Sequence, residues 1–223
     1  MIRLAVLDMA GTTVADDGLV ELAFTEAVAQ VGVAESDPAF PGMLDHVRRT
    51  MGESKISVFR TLLDDDESRA QQANAAFERA YAERVGQCTE IDGAAATIRA
   101  LRDAGVKVAL TTGFSETTQR QILDALGWRD LSDLTLTPAQ AGRGRPHPDM
   151  VLTALLRQGI DDVREVAVVG DTAYDVRAGL RAGASVVAGV LTGAHGRGEF
   201  AEAGATHVIE SIRDLPGILS TQD

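Results

Sequence analysis

The sequence predicts an α/β protein: a doubly wound parallel sheet with a helical domain inserted after the first strand. Three observations carry that prediction. Strand-like and helix-like segments alternate through the second half of the chain. Most of the strand-like segments are continuous Val- and Leu-rich runs rather than alternating patterns, as expected for strands covered on both faces. Residues 18–88, by contrast, have almost no strand signal and read as consecutive helices.

In chain order, residues 2–8 form the first strand, an apolar run that closes on Asp8. Helices follow at 19–31, roughly 40–50, 54–63 and 67–87. The alternation then begins, with a helix at 94–104, a strand at 106–112 and a helix at 115–126. It continues with a strand at 133–137, a helix at 149–158, a strand at 165–170, a helix at 173–182 and a strand at 184–191. Gly105, Gly127 and Gly183 suit helix C-termini, and Ser115 suits an N-cap. The expected organisation is a core of residues 1–17 and 89–223 with an insert at 18–88. Its hinges are expected near Asp16–Gly18 and Asp92–Gly93.

Composition narrows the function classes. The 223 residues are 45% hydrophobic, enough for a substantial core, and no segment is long and apolar enough to span a bilayer. The first residues do not read as a secretion signal. A net charge of −12 without a basic run argues against nucleic-acid or anionic-membrane partners. A single cysteine, Cys88, excludes an intramolecular disulfide and suits a reducing cytoplasm. Only two lysines, Lys55 and Lys107, stand among 21 basic side chains. Arginine replaces lysine on most surfaces but not in amine chemistry.

Four stretches carry chemistry, each expected at the end of its own strand. They are Asp8 in "LAVLDMAGTTV", Thr112 with Gly113 in "VKVALTTGF", Arg145 in "GRGRPHPDM", and Asp171 with Asp175 in "VVGDTAYD". Singly, each has a plain reading as a turn, a cap or a surface charge. In an open parallel sheet, however, the strand C-termini converge on one crevice. Together they offer a carboxylate nucleophile, hydroxyl and backbone N–H donors, a fixed cation and two further carboxylates. That set suits phosphoryl transfer assisted by Mg²⁺. Three carboxylates without a His–Cys cluster favour a hard cation over zinc.

On these motifs the chain resembles the haloacid-dehalogenase superfamily of phosphotransferases over nearly its whole length. The resemblance implies a Rossmann-like core with a mobile cap formed by residues 18–88. It implies that Asp8 is the nucleophile that becomes an aspartyl-phosphate, and that Thr12, Thr112, Gly113 and Arg145 hold the phosphoryl oxygens. It further implies that Asp8, the Ala10 carbonyl and Asp171 bind Mg²⁺ with Asp175 in support. Metal-free dehalogenases of the superfamily fit less well, since both Asp171 and Asp175 are retained.

Most phosphatases of the superfamily carry a second acid where this chain has Ala10. The "DxAGTT" form resembles the phosphonatase (phosphonoacetaldehyde hydrolase) subfamily, in which a cap lysine forms a Schiff base with an aldehyde and the C–P bond breaks without an alkoxide leaving group. Lys55 in "MGESK" matches the subfamily's "MGxxK", and "LTTGF" and "GRPHP" match its later motifs. Three positions depart: Val58 stands where the subfamily has histidine, Phe114 where it has tyrosine, and Gly18 near a cysteine. His46 in the insert is the candidate substitute for that histidine.

The leading expectation is therefore a Mg²⁺-dependent hydrolase of a small phosphonate, with a phosphate-monoester phosphatase in the same site as the alternative. A non-enzymatic phosphoacceptor module is the reading from another class; receiver domains of that kind are half this size and have no helical insert. Pairing of cap helices in a homodimer is compatible with the pattern.

Overall fold

The computed structural model describes residues 1–15 and 17–220, so Asp16 of the expected hinge lies outside the described residues. Strand β1 (Leu4–Asp8) leads to a two-residue strand, β2 (Val14–Ala15), and then to four helices: α1 (Leu19–Gln30), α2 (Phe40–Arg49), α3 (Lys55–Leu62) and α4 (Glu67–Ala82). A second two-residue strand, β3 (Thr89–Glu90), pairs antiparallel with β2, with Val14 opposite Glu90 and Ala15 opposite Thr89. This short ribbon brackets the helical segment at both of its ends. It was not expected, because two residues are too few to show a period in sequence.

The alternation follows as α5 (Ala94–Asp103), β4 (Lys107–Thr111), α6 (Glu116–Ala125), β5 (Leu134–Leu136), α7 (Pro138–Ala141) and α8 (Asp149–Gln158), then β6 (Val166–Gly170), α9 (Ala173–Ala182), β7 (Val186–Val190), α10 (Arg197–Ala203), β8 (His207–Ile209) and α11 (Leu215–Ser220). The six-stranded sheet runs β5-β4-β1-β6-β7-β8. All of its pairings are parallel. That is the doubly wound order in which strand order reverses at β1, with the crevice at the strand C-termini beside it. The edge strand β8 and the helices after β7 were not expected, since β8 has only three residues, two of them half-buried.

The period-2 geometry of β1 explains the two layers over the sheet. Leu4 and Val6 pack with Val151, Ala154, Val168 and Val176 on the α8 and α9 side. Ala5, Leu7 and Met9 face the opposite way, into the larger apolar body that includes α5 and the helical insert. Both faces are apolar, so the strand reads as a continuous run.

The insert joins the sheet through aromatic rings. Phe24 stacks on Phe59 at 5.8 Å between centroids, Phe59 meets Phe77 at 6.1 Å, and Phe77 meets Phe114 at 6.2 Å. Tyr81 lies 4.7 Å from Phe114. Phe114 sits in the loop after β4, so this ladder ties α1, α3 and α4 to the core. Beside it, Ser115 caps α6 as expected, accepting from the Thr118 N–H at 3.2 Å. The Ser115 hydroxyl donates to Glu78 of α4 at 2.5 Å.

The expected place of Arg145 at a strand end is not the observed one. Arg145 does not end a strand: β5 stops at Leu136, and Arg145 lies in the loop between α7 and α8. Pro138 opens α7, with the Gln140 side chain accepting the Thr137 N–H at 3.0 Å. Gly142, with φ of +118°, then ends the helix and returns the chain toward the sheet.

Because Phe77 is 1% exposed and touches three other rings, Phe77→Ala should cost about 3–5 kcal/mol of stability in a urea titration. Leu22→Ala, at a half-exposed position on α1, should stay within about 0.5 kcal/mol.

Candidate active site

The turn after β1 is built to present Asp8. The Thr12 and Thr13 N–H groups donate to the Met9 carbonyl at 3.2 and 2.9 Å, and the Thr13 hydroxyl donates to the Asp8 carbonyl at 2.9 Å. Across the sheet, β6 ends at Gly170, and Asp171 follows as the chain turns into α9. Thr172 caps that helix. Its N–H and hydroxyl donate to Asp175 Oδ2 at 3.2 and 2.6 Å, which fixes the Asp175 carboxylate under the turn.

Arg145 locks these pieces together. Its Nη2 lies 2.6 Å from Asp8 Oδ1, and its Nε lies 2.7 Å from Asp175 Oδ1. Nη2 also donates to Thr111 Oγ1 at 2.8 Å, and Nη1 reaches the Gly52 carbonyl of the insert at 3.2 Å. Arg145 is 5% exposed. A buried cation in this position is satisfied on both sides by carboxylates and reaches from the sheet to the insert.

Asp8, Asp171 and Asp175 each offer an oxygen, and the three oxygens lie within 4.8 Å of one another. All three residues are buried. One guanidinium cannot balance three ionised carboxylates, and burial pushes the Asp8 carboxyl up to about 7, with Asp175 adding to the rise and Arg145 opposing it. Asp171 is raised well above the ordinary carboxylate range, again by burial and then by Asp8 and Asp175. A divalent cation would supply the missing positive charge, and an all-oxygen donor set suits a hard one. The residues fit such an ion. Asp175 has one oxygen on Arg145 and the other on Thr172, so its place is in support, while Asp8 and Asp171 face the cavity.

That cavity has a volume of about 490 Å³. Asp8, Ala10, Thr112, Gly113, Arg145 and Asp171 all line it, and so does Lys55, the first residue of α3. The lysine amine lies 5.4 Å from the centre of the Phe114 ring and 5.9 Å from that of Phe77, at cation–π range. Thr12 is the expected phosphate contact that does not line the cavity; it is fully buried, and its hydroxyl makes no hydrogen bond to the described residues. His46 does not line it either, and no histidine does among the described residues. Val58, at the position of the subfamily's histidine, is packed in the apolar body; Phe114, at the position of its tyrosine, packs there and also lines the cavity.

Two features escaped sequence reasoning. The loop after β7 closes one wall: the Ala194 N–H donates to Asp171 Oδ2 at 2.8 Å, and the Thr192 hydroxyl donates to the Gly11 carbonyl at 2.7 Å. A Cβ at Gly193 would fall 2.1 Å from Asp171 Oδ2, so only glycine fits there. The second is the approach of the insert. A Cβ on Gly113 would lie 2.5 Å from the Glu53 carbonyl, so a bare backbone after β4 lets the "MGESK" loop come down onto the core.

Residues 2–183 match the family described as haloacid dehalogenase-like hydrolase. The chain belongs to that family. It is a haloacid dehalogenase-like hydrolase with relatives named for phosphonate chemistry. The phosphonoacetaldehyde hydrolase of Bordetella avium is 29% identical, covering 88% of this chain and 82% of that protein. The phosphonoacetaldehyde hydrolase of Lysinibacillus sphaericus is 26% identical, covering 99% and 94%. The crystal structure of a hydrolase from Pseudomonas syringae superposes with a TM-score of 0.87 at 23% identity, covering 100% of this chain and 99% of that one, which shows the shared fold.

The raised carboxyls give the candidate metal site a signed pH dependence. A folded-state value of about 7 for Asp8 against 3.8 for the ordinary carboxyl means that the metal-free fold binds extra protons, and loses stability as pH rises from about 4 through 7. A bound cation takes the place of those protons. Millimolar Mg²⁺ should therefore raise the melting temperature more at pH 8 than at pH 5.5, and Asp171→Asn should remove most of the rise. An equal shift at both pH values would contradict the assignment.

Proposed function

We propose that this hydrolase cleaves the carbon–phosphorus bond of a small phosphonate with a carbonyl next to its CH₂ group, of which phosphonoacetaldehyde is the simplest. The observation that carries the reading is the shared cavity: Lys55 and Asp8 both line it, and the residue two places after Asp8 is Ala10. The two curated relatives above are named for that activity.

The chemistry follows from these groups. The Lys55 amine condenses with the carbonyl, releasing water and leaving an iminium. Asp8 attacks phosphorus in line with the C–P bond, and the bonding pair passes into the iminium as an enamine. No alkoxide departs, so no acid is required at position 10. Water then hydrolyses the aspartyl-phosphate to inorganic phosphate, and the enamine takes a proton on carbon before a second water frees the carbonyl product. Asp8, Asp171 and the Ala10 carbonyl would hold Mg²⁺, which when bound supplies charge neutralisation for the phosphoryl oxygens. Arg145 and Thr112 hold those oxygens from the protein side. Arg145 already bonds the nucleophile, so an arriving phosphoryl group shares its guanidinium with Asp8.

A second reading, a phosphate-monoester phosphatase, draws on one observation. Among the described residues no histidine reaches the cavity to manage protons for the imine. Phosphate release from phosphonoacetaldehyde and from a panel of phosphate esters separates the two. The C–P reading expects release from the phosphonate, lost at least 10³-fold in Lys55→Arg, and little from the esters. Ester turnover that survives Lys55→Arg, with no release from the phosphonate, would establish the phosphatase.

A further inference from the structure

The cavity is larger than a two-carbon phosphonate needs. At about 490 Å³ it falls in the range of roughly 300–1,000 Å³ typical of sites for drug-sized ligands. Phosphorus must meet Asp8, a cation would occupy the space beside Asp8 and Asp171, and the carbonyl carbon must meet Lys55; the space along the insert's wall is then left for whatever the carbonyl carbon carries.

The wall that the insert contributes to this space has one charged pair. Glu21, in the first turn of α1, and Arg48, in the last turn of α2, both line the cavity. Arg48 Nε lies 2.7 Å from Glu21 Oε1, and Nη2 donates to Oε2 at 2.8 Å. Both Glu21 oxygens are thus committed. Nη1 of Arg48 makes no hydrogen bond to any of the described residues. The unused capacity of the pair is therefore donor capacity on a guanidinium held in place by its partner, and such a group recognises a carboxylate. The Arg48 side chain is 56% exposed, which puts it at the rim of the cavity. Asp17 shares the cavity wall, so an acidic group must be met by a directed donor rather than by a general positive field.

A second cavity, of about 600 Å³, is also lined by Lys55 and Arg145 but not by Asp8. Its Arg143 has Nε and Nη2 on Asp149, and its Arg60 has Nε and Nη2 on Glu67. The requirement for Asp8 assigns the substrate to the first cavity.

We propose that Arg48, oriented by Glu21, is a specificity residue, and that the preferred substrate is a phosphonate R–CO–CH₂–PO₃²⁻ in which R carries a carboxylate. The inference rests on the C–P reading above and names the substrate class within it. The reaction consumes one water: the C–P bond breaks, a C–H bond forms with a proton from water, and the water oxygen ends on phosphorus, giving R–CO–CH₃ and HPO₄²⁻.

The test compares three probes that share the carbonyl–CH₂–phosphonate unit: phosphonoacetaldehyde (R is hydrogen), 2-oxopropylphosphonate (R is methyl) and 3-phosphonopyruvate (R is carboxylate). Phosphate release with Mg²⁺ is followed for wild type and Arg48→Gln. The methyl compound separates size from charge. The expected result is kcat/KM at least tenfold higher for the carboxylate than for the methyl compound in wild type. That ratio should fall at least tenfold in Arg48→Gln, with a circular dichroism melt confirming a folded variant. Equal use of the carboxylate and methyl compounds, or a ratio unchanged in Arg48→Gln, overturns the inference. Turnover of phosphonoacetaldehyde alone overturns it while leaving the C–P reading standing. No phosphate from any of the three removes both.

Discussion

The buried guanidinium of Arg145 holds the candidate site together, because it is the point where three separate stretches of chain meet. It bonds Asp8 at the end of β1, Asp175 in the first turn of α9, and Thr111 at the end of β4, and it touches the insert at Gly52. Removing one partner of such a buried pair typically costs about 3–5 kcal/mol, since the survivor is left charged and unsolvated. The same constraint sets the electrostatics. One cation among three buried carboxylates leaves a deficit of positive charge, which protons fill in the metal-free chain and a bound divalent cation would fill in their place.

The second constraint is how closely the insert approaches the core. Two bare backbones permit it: Gly113 lies under the Glu53 carbonyl, and Gly52 lies against Thr172 and Arg145. The aromatic ladder from Phe24 to Phe114 carries the same contact on the apolar side. Lys55 sits where the two meet, with its amine against the Phe77 and Phe114 rings and its place in the cavity shared with Asp8. Phe114 ends the ladder on the core side and also lines the cavity, and Val58 is buried in the apolar body of the insert. A cap that opens and closes over the core is our reading of the insert; the β2–β3 ribbon at its base and the Glu78–Ser115 hydrogen bond at its far side are the contacts such a motion would keep or break.

Much of this was legible in the sequence, for physical reasons that differ from residue to residue. Asp8 and Asp171 could be found because each follows a continuous apolar run, and a strand covered on both faces leaves its first polar residue at the crevice. Lys55 stood out through its rarity and its motif. Arg145 was found as a residue but not by its position, since α7 intervenes between β5 and the loop that delivers it. Thr111, the last residue of β4, contributes as well as Thr112, which follows the strand. Thr111 bonds Arg145, and Thr112 lines the cavity. The Thr192–Ala194 wall gave no signal because it acts largely through a backbone N–H and a missing Cβ. Thr12 matched a motif, yet its side chain is buried away from the cavity lining. The Arg48–Glu21 pair brings together residues 27 apart in sequence, with no motif to link them.

The central claim is that an iminium formed on Lys55 takes up the electrons of the breaking bond, so that no acid at position 10 has to protonate a leaving group. Borohydride added during turnover of phosphonoacetaldehyde tests it most directly, with the reduced protein digested and the modified residue located by mass spectrometry. The account predicts irreversible loss of activity and one two-carbon adduct, on Lys55. Full activity after borohydride with substrate, or an adduct on Lys107 with Lys55 unmodified, would contradict it.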